Sequence, residues 1–317
     1  MAFQMPFKFS GSAADAAVAG RARPSRMMEY DQPLVWVTVL LVLLGLVMVY
    51  SASIALPDSP KFANYDNAYF LRRQAMFVAA AFMAALFVFR IPVAALQKLA
   101  PFMFIGTLIL LILVLVPGLG VVVNGGRRWL NLRVFNLQPS ELMKVVMVLY
   151  AADFTVRKQQ YMHKLSKGFF PMAGAVGLVG VLLLLEPDLG ATGVIVCIAM
   201  GVLFLGGFNA IWFGGIGGIL VMAFSAIIAL SPFRRERLFA YLDPWQEDNA
   251  LNKAYQLTHS LIAFGRGEFF GVGLGGSLEK LHYLPEAHTD FLLAVIGEEL
   301  GLAGVLVVIA MFYWLVK

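Results

Sequence analysis

Long, unbroken hydrophobic runs alternate with shorter polar segments along most of this chain. Each run approaches the roughly 20 residues that an α-helix needs to cross the hydrocarbon core of a bilayer. The runs lack the alternating polar and apolar residues that are typical of membrane β-barrel strands. Helices satisfy all of their backbone hydrogen bonds internally, which lipid requires. We therefore predict an all-α fold, a polytopic transmembrane helical bundle.

The pattern predicts eight spans, the first of which is too long for a signal-peptide core and is expected to be retained. The predicted spans cover about 34–54, 69–89, 99–116, 141–156, 169–185, 191–205, 210–230 and 291–317. Residues 1–30 are polar and predict a disordered cytoplasmic tail. The bundle occupies 31–317 and includes one long loop, 231–290.

Composition supports a membrane protein and argues against other classes. Of the 317 residues, 60% are hydrophobic and 14% are charged, whereas soluble domains carry roughly 25% charged residues. The net charge of +5 is modest, and no basic stripe carries the interleaved aromatic residues that single-stranded nucleic acids require. The single cysteine, Cys197, excludes intrachain disulfides and is predicted to be a small core residue.

Lysine and arginine in the short loops predict the orientation, because such loops are enriched in positive charge on the cytoplasmic side. The tail and two loops that fall on one side of the predicted bundle contain Lys8, Arg21, Arg23, Arg26, Arg90, Lys98, Arg157, Lys158, Lys164 and Lys167. The N-terminus is therefore predicted to be cytoplasmic, and the 231–290 loop exocytoplasmic. Arginines on the opposite side, Arg72, Arg73, Arg127, Arg128 and Arg133, are candidates for binding an anion at the outer face.

The end of the long loop carries the strongest candidate for chemistry, Asp290. It follows Glu286, His288 and Thr289 at an expected boundary between water and lipid. A carboxylate partly shielded from water has a raised proton affinity and can act as a general base toward a hydroxyl. The alternative is an acid in the first turn of the last helix, where the helix dipole favours it. His288 could tune Asp290 or simply face solvent.

The spacing of Glu286, His288 and Asp290 is also compatible with metal binding. It matches neither the helical spacing of zinc sites nor a known loop signature, so an oxygen-preferring divalent ion that bridges substrate phosphates is favoured over zinc. The metal ligands themselves are not identified by the sequence. The Gly271–Gly276 stretch is not interpreted as a dinucleotide loop, because no strand precedes it and no helix follows it in the required positions.

A second group of polar residues surrounds the start of the fourth predicted span. Glu141 and Lys144 are three residues apart and share one helical face at or inside the membrane boundary. Charges there are costly and are usually paired or functional. The pair is either a structural ion pair or part of a site in which Arg127, Arg128 and Lys144 receive an anionic group. Arginine suits phosphate because of its planar fork of donors.

Two further sets of carboxylates lie beside or within hydrophobic runs. Glu186 and Asp188 flank Pro187 between the fifth and sixth spans, in a tight turn or a broken helix. They either form a solvated turn or face the bundle and hold a cation or substrate hydroxyls. Glu298 and Glu299 fall inside the last span, and at least one is expected to point into protein with a structural role.

Together these segments resemble the SEDS family of peptidoglycan glycosyltransferases, over residues from about 34 to 317. Residues 285–291, in the form Pro-Glu-Ala-His-Thr-Asp-Phe, together with residues 263–268 resemble the cell-division branch of that family. The motifs that carry the resemblance are Arg128-Trp129-Leu130, Gln138-Pro139-Ser140-Glu141 with Lys144, Glu186-Pro187-Asp188-Leu189-Gly190 and Tyr283-Leu284-Pro285-Glu286-Ala287-His288-Thr289-Asp290-Phe291.

The resemblance implies an enzyme of cell division that polymerises lipid II into glycan strands at the outer face of the cytoplasmic membrane. It implies a class B penicillin-binding transpeptidase as partner and a divalent cation, Mg or Mn, with no organic cofactor. Asp290 matches the essential catalytic residue. Functionally sensitive cavity positions are matched by Arg128, Gln138, Glu141, Lys144 and Asp188, and we add Glu286 and His288 as candidate substrate-binding residues.

The family has an expected ten spans, so the resemblance also predicts that this is a partial chain, two helices short. Two other functions stay open at this point. A lipid II flippase would use the same cavity and basic residues but would need no external base. A division scaffold would only recruit a transpeptidase, and would not need several costly charges at the membrane boundary.

Overall fold

The computed structural model describes residues 31–60, 62–123, 126–132 and 135–317. Two sets of residues named in the sequence analysis lie outside this description: the predicted N-terminal tail and Arg133, one of the candidate anion-binding arginines. Helices dominate the rest of the chain, as predicted. In chain order they are α1 (Gln32–Ser53), α2 (Tyr69–Phe89), α3 (Val93–Leu115), α4 (Pro139–Arg157), α5 (Phe170–Leu185), α6 (Leu189–Leu205), α7 (Ala210–Leu230), α8 (Pro232–Leu242), α9 (Tyr255–Gly267) and α10 (Leu292–Val316).

Each of the eight predicted spans coincides with a helix, and six of these segments within the described residues are long and apolar enough to cross a membrane: Gln32–Asp58, Tyr69–Phe89, Val93–Leu115, Leu165–Leu185, Ala210–Leu230 and Leu292–Val316. The other two predicted spans, helices α4 and α6, are not among these six. Helix α6 is apolar but has only 17 residues. Helix α4 carries four charges, which form two ion pairs along the helix, Lys144 with Glu141 and Arg157 with Asp153. The protein is a multi-pass membrane protein with a helical fold.

The chain divides into two compact units, one formed by Ala80–Asp243 and the other by the chain up to Ala79 together with Pro244–Lys317. In the first unit, α4 packs against α3 and α6, and α5 packs against α6. Its core includes Leu111, Met143, Met147, Ile195 and Leu203, each at most 1% exposed. These residues recur on one face of each helix, so the otherwise all-round hydrophobic helices have a defined interior side.

A small antiparallel sheet follows α3 in this unit. Its strands are β1 (Gly120–Val123), β2 (Gly126–Asn131) and β3 (Asn136–Leu137), in that order across the sheet. Strand β1 pairs with β2 from Gly120 opposite Leu130, and β2 pairs with β3. The sheet holds the polar segment between the third and fourth predicted spans in a fixed conformation, and so positions the arginines on β2.

The second unit contains α1, α9, α10 and the segment between α9 and α10. Helix α10 packs against both α1 and α9. Their shared core includes Met48, Ala263, Val295 and two residues of the connecting segment, Leu284 and Ala287. This segment, residues 268–291, is called the Asp290 loop below.

Helix α10 is interrupted within its span at Gly301, whose φ of 67° is left-handed. The Asp290 loop fills the interruption with backbone hydrogen bonds. Val272 N and Gly273 N donate to Glu298 O and Glu299 O, and Leu302 N and Ala303 N donate to Glu268 O and Phe269 O. The exchange satisfies the groups that a helix break leaves without partners, a requirement inside a membrane.

Only glycine fits where the loop enters the break. A Cβ atom on Gly271, which has φ of 79°, would lie 2.2 Å from Glu299 O. A Cβ atom on Gly301 would lie 2.4 Å from Gly271 N. Gly271 and Gly301 therefore allow the close backbone packing between the loop and the break in α10.

Two sequence expectations need adjustment. The 231–290 segment is not simply a loop, because it contains α8 and α9. The prediction that Cys197 is a core residue is wrong: its side chain is exposed. It lies on α6 away from the core positions Ile195, Ala199 and Leu203, where it lines an open cavity together with residues of α7.

Candidate active site

Strand β2 presents Arg128 toward the turn between α5 and α6. The guanidinium donates from Nε to Glu186 O at 3.1 Å and from Nη2 to Pro187 O at 2.6 Å. A Cβ atom on Gly126 would lie 2.8 Å from Arg128 Nε and 3.3 Å from Glu186 O, so glycine at this position leaves room for the guanidinium to reach the turn. Two carbonyl oxygens thus fix the plane of the guanidinium, while Nη1 donates to none of the described residues.

Asp188 and Gln138 lie together beside this arginine anchor. Gln138 Nε2 is 3.4 Å from Asp188 Oδ2. The other oxygen, Asp188 Oδ1, accepts from Ala191 N at 3.0 Å and caps the N-terminus of α6. Gln138 is itself the N-cap residue that precedes α4. Arg128, Gln138, Glu186 and Asp188 therefore form one group, called the Arg128 cluster below.

Glu141 and Lys144 form the ion pair that their spacing predicted, with Nζ to Oε2 at 2.7 Å in the first turns of α4. The glutamate side chain is 58% exposed and the lysine side chain 28% exposed. An exposed pair of this kind stabilises a fold by about 0–1 kcal/mol. Stability alone is therefore a weak reason for placing these charges in a helix of a membrane bundle.

Glu186 was considered in the sequence analysis together with Asp188, but it was not among the residues proposed to bind substrate. It lies just beyond the span that ends at Leu185, and its side chain is fully buried. Neither carboxyl oxygen has a hydrogen-bond partner among the described residues. Burial raises the pKa of Glu186 to about 8; the nearby Asp188 carboxylate adds to the increase, and the Arg128 guanidinium opposes it.

Glu186 is consequently mostly protonated at pH 7. Of the two alternatives left open for this turn, a solvated turn and a pair facing the bundle, its burial favours the second for Glu186. The sequence feature that could have predicted its burial is its position directly at the end of an uninterrupted apolar run. A carboxylate there is desolvated whenever the following residues turn back toward the bundle.

The second group of predicted residues lies in the other unit, at the end of the Asp290 loop. Helix α10 begins at Leu292 with Phe291 at the cap position, so Asp290 precedes the helix and does not cap it. The Asp290 side chain is exposed. It makes no hydrogen bond or ion pair with the residues that the structure describes, so they do not provide the shielding from water predicted for it. The carboxylate is free to accept a proton from a bound hydroxyl.

Glu286, His288 and Thr289 shape the turn that precedes Asp290. Glu286 has a φ of 57°, and its O and Oε2 atoms each accept from Thr289 Oγ1 at 3.2 Å. Phe291 N donates to Glu286 O at 3.2 Å, which closes the turn around Asp290. The His288 ring is half-buried and packs edge-on against Phe70, with ring centroids 4.9 Å apart.

The divalent cation implied by the family resemblance has no ready-made site here. Across the described residues, no group of three or more His, Cys, Asp or Glu side chains is arranged to hold a metal ion. In the Arg128 cluster, Asp188 already uses one oxygen as a helix cap and Glu186 is neutral. The donor set does not fit a resident cation, and the chemistry below does not depend on one.

Sequence reasoning also passed over Lys280, the cation that pairs with Glu299 at 2.6 Å. The signal was indirect: two adjacent glutamates inside a span require donors from elsewhere in the protein. Arg266 pairs with Glu298 at 2.7 Å in the same way. Both glutamates are fully buried, which confirms that they point into protein.

Comparison with known proteins gives consistent results at the level of sequence and fold. A family model described as "Cell cycle protein" and labelled FtsW/RodA/SpoVE matches residues 32–317. A "Probable peptidoglycan glycosyltransferase FtsW" of Burkholderia thailandensis is 61% identical over 304 residues, which are 95% of this chain and 66% of that protein. A protein of the same name from Polynucleobacter necessarius is 56% identical over 96% of this chain and 72% of that protein.

Solved structures share the fold. A chain from work on the structural coordination of polymerization and crosslinking by a peptidoglycan synthase complex aligns with a TM-score of 0.68 and 25% identity, over 91% of this chain and 76% of that chain. The rod shape determining protein RodA of Thermus thermophilus aligns with a TM-score of 0.59 and 23% identity. The present chain thus spans about two thirds to three quarters of the length of these relatives.

Proposed function

This chain belongs to the FtsW/RodA/SpoVE family of cell cycle proteins, and from that premise we propose that it is a peptidoglycan glycosyltransferase. The protein polymerises lipid II into glycan strands at the outer face of the cytoplasmic membrane during cell division. High identity to relatives named as peptidoglycan glycosyltransferases supports the reaction class.

Asp290 is the proposed general base. The observation that carries the proposal is its exposed carboxylate, which has no partner among the described residues and which is held at the end of a tightly bonded loop. It accepts the proton of the acceptor sugar hydroxyl. The hydroxyl oxygen forms a bond to the anomeric carbon of the donor, and the bond from that carbon to the lipid pyrophosphate breaks. A general base typically contributes about 10²–10⁴-fold in rate.

Arg128 and Lys144 are proposed to bind the pyrophosphate of lipid II. Arg128 Nη1 donates to none of the described residues and is available for an anion, while two carbonyl oxygens hold the plane of the guanidinium. Lys144, steered by Glu141, supplies a second positive charge. Donors that are fixed in advance bind an anionic group without reorganisation. Glu286 and His288 are proposed to contact the sugar beside Asp290.

The remaining parts of the proposal concern location and partner. The protein is proposed to lie in the cytoplasmic membrane at the division septum, with its N-terminus in the cytoplasm. A class B penicillin-binding transpeptidase is the proposed partner. The fold shared with a chain from a peptidoglycan synthase complex supports such an assembly. A divalent cation carried by the substrate pyrophosphate remains compatible with the proposal.

The decisive experiment measures glycan polymerisation from lipid II by the full-length protein with its transpeptidase partner. We expect Asp290→Asn to reduce the rate by about 10²–10⁴-fold, because the amide cannot accept the proton. Glu247→Gln is the matched control, since it neutralises another exposed carboxylate of the 231–290 segment. An Asp290→Asn protein that polymerises at the parent rate would rule the general base out.

The same proteins in liposomes distinguish an enzyme from a flippase. The proposal expects polymer from the parent and none from Asp290→Asn. Translocation of labelled lipid II that survives Asp290→Asn, with no polymer from the parent, would instead establish a transporter.

A further inference from the structure

Asp290 depends on its backbone for its position, because its own side chain has no partner among the described residues. Catalytic groups must be held to within about 0.5 Å of the productive geometry by surrounding residues. Something other than Asp290 must therefore fix the Asp290 loop. The candidates are the loop residues that reach buried partners on α1, α9 and α10.

The most buried of these contacts is a triad formed by Ser51, Lys280 and Glu299. Lys280 Nζ donates to Glu299 Oε1 at 2.6 Å, to Ser51 Oγ at 2.9 Å and to Gly275 O at 2.8 Å. Ser51 Oγ in turn donates to the Glu299 carboxylate. The Lys280 and Glu299 side chains are 2% and 0% exposed. All three donor positions of the ammonium are used, so the triad is fully satisfied.

The triad links three separate parts of the chain. Ser51 lies near the end of α1, Lys280 in the Asp290 loop, and Glu299 in α10 just before the break at Gly301. Lys280 is ten residues before Asp290 and Glu299 is nine residues after it. The triad thus holds the chain at a comparable number of residues before and after Asp290.

A second buried carboxylate extends the anchorage. Glu298 accepts from Arg266 Nη1 at 2.7 Å, from Ser277 Oγ at 2.5 Å and from Leu278 N at 3.0 Å. Between Lys280 and Asp290, Leu284 N donates to Glu279 O, and Leu284 is 3% exposed in the core. The segment from the triad to Asp290 is therefore anchored in the core of this unit at two positions, Leu284 and Ala287.

We infer that Ser51, Lys280 and Glu299 are positioning residues for Asp290: the buried triad fixes the loop that presents the catalytic carboxylate. The expected loss of activity rests on the proposed function, whereas the expected mobility of the Asp290 loop can be tested without it. Removing one partner of a buried charge pair leaves an uncompensated charge, whereas replacing both by apolar residues is often neutral for stability. The double replacement therefore separates positioning from stability.

The experiment places a spin label at Leu281→Cys, an exposed site beside Lys280, in a Cys197→Ala background of the full-length protein. Lys280→Met is expected to mobilise the label and to lower kcat for polymerisation by on the order of 10²-fold, with KM for lipid II nearly unchanged. Lys280→Met with Glu299→Leu is expected to regain the parent's thermal stability, yet to keep the mobile label and the low kcat. The hydrogen bonds to Ser51 and Gly275 are still missing in that protein.

Asp66→Asn is the matched control, because it removes another 2.6 Å ion pair, with Arg72, that is exposed instead of buried. It should leave the label, kcat and stability at parent values. Asp290→Asn should leave the label unchanged while polymerisation is lost.

Three results would overturn the inference. A label that stays immobile in Lys280→Met would show that the triad does not fix the loop, and recovery of kcat in the double variant would show a purely stabilising role. A mobile label with an unchanged polymerisation rate would show that fixing the loop does not position Asp290. Failure of the proposed base itself is distinguished by Asp290→Asn, which would then polymerise at the parent rate.

Discussion

At the scale of single residues, the structure separates carboxylates that sequence alone treats alike. Glu298 and Glu299 are buried with donors on their oxygens, and Asp290 is exposed with none among the described residues. Glu186 is buried with no donor. A buried carboxyl group without a donor is far cheaper to hold as the neutral acid, and its elevated pKa of about 8 follows from this.

The pH dependence of stability provides the test for Glu186. A raised pKa in the folded state means that its contribution to the free energy of unfolding is fully present below the ordinary pKa of 4.5. That contribution falls as the pH rises and is lost once the pH passes about 8. Glutamine at this position does not titrate. The unfolding temperature of the Glu186→Gln protein should therefore rise relative to that of the parent as the pH rises.

The measurement compares unfolding temperatures of the two proteins in detergent from about pH 6 to about pH 9, where other groups titrate equally in both. The unfolding temperature of Glu186→Gln minus that of the parent should increase up to about pH 8 and then level off. A constant difference over the whole range would show that Glu186 ionises at its ordinary pKa.

At the scale of elements, single side chains determine where helices begin and what they hold. Asp188 caps α6 with one oxygen and lies beside Gln138 with the other. The sequence predicted a break between the fifth and sixth spans at this proline. It did not predict that the two backbone carbonyls before the cap would anchor Arg128.

Two substitutions separate the capping role of Asp188 from its charge. Asp188→Ala should lower the free energy of unfolding by about 1 kcal/mol, because Ala191 N loses its acceptor. Asp188→Asn retains an oxygen for the cap and should unfold like the parent. If the charge serves lipid II binding, both variants should lose polymerisation. Full activity in Asp188→Asn would assign the residue to capping alone.

At the scale of the whole molecule, the proposed mechanism requires the Asp290 loop to face the outside of the cell. The orientation was predicted from positive charge in short loops, and the arginines on β2 run against that rule. Both Leu281 and Lys164 are exposed, and they lie on opposite sides of the predicted topology.

Labelling of introduced cysteines tests this topology in a Cys197→Ala background. Leu281→Cys should react with a membrane-impermeant maleimide in intact cells whose outer membrane has been opened. Lys164→Cys should react only after the inner membrane is permeabilised. The reverse pattern would place Asp290 in the cytoplasm and exclude polymerisation at the outer face.

The amino-acid sequence by itself determined the helical membrane fold, the positions of the spans and the breaks between them. Hydropathy and helical hydrogen bonding are local, so a run such as residues 210–230 is sufficient to specify its own helix. The Glu141–Lys144 ion pair was predictable for the same reason, since three residues on one helix fix its geometry.

Only the tertiary structure decided which charges meet and which carboxylates are desolvated. Ser51 and Glu299 are 248 residues apart in the chain, and no local pattern pairs them. The burial of Glu186 and the break of α10 at Gly301 likewise depend on segments that pack from elsewhere. Such contacts are properties of the packed bundle, because desolvation and pairing depend on distances that only folding sets.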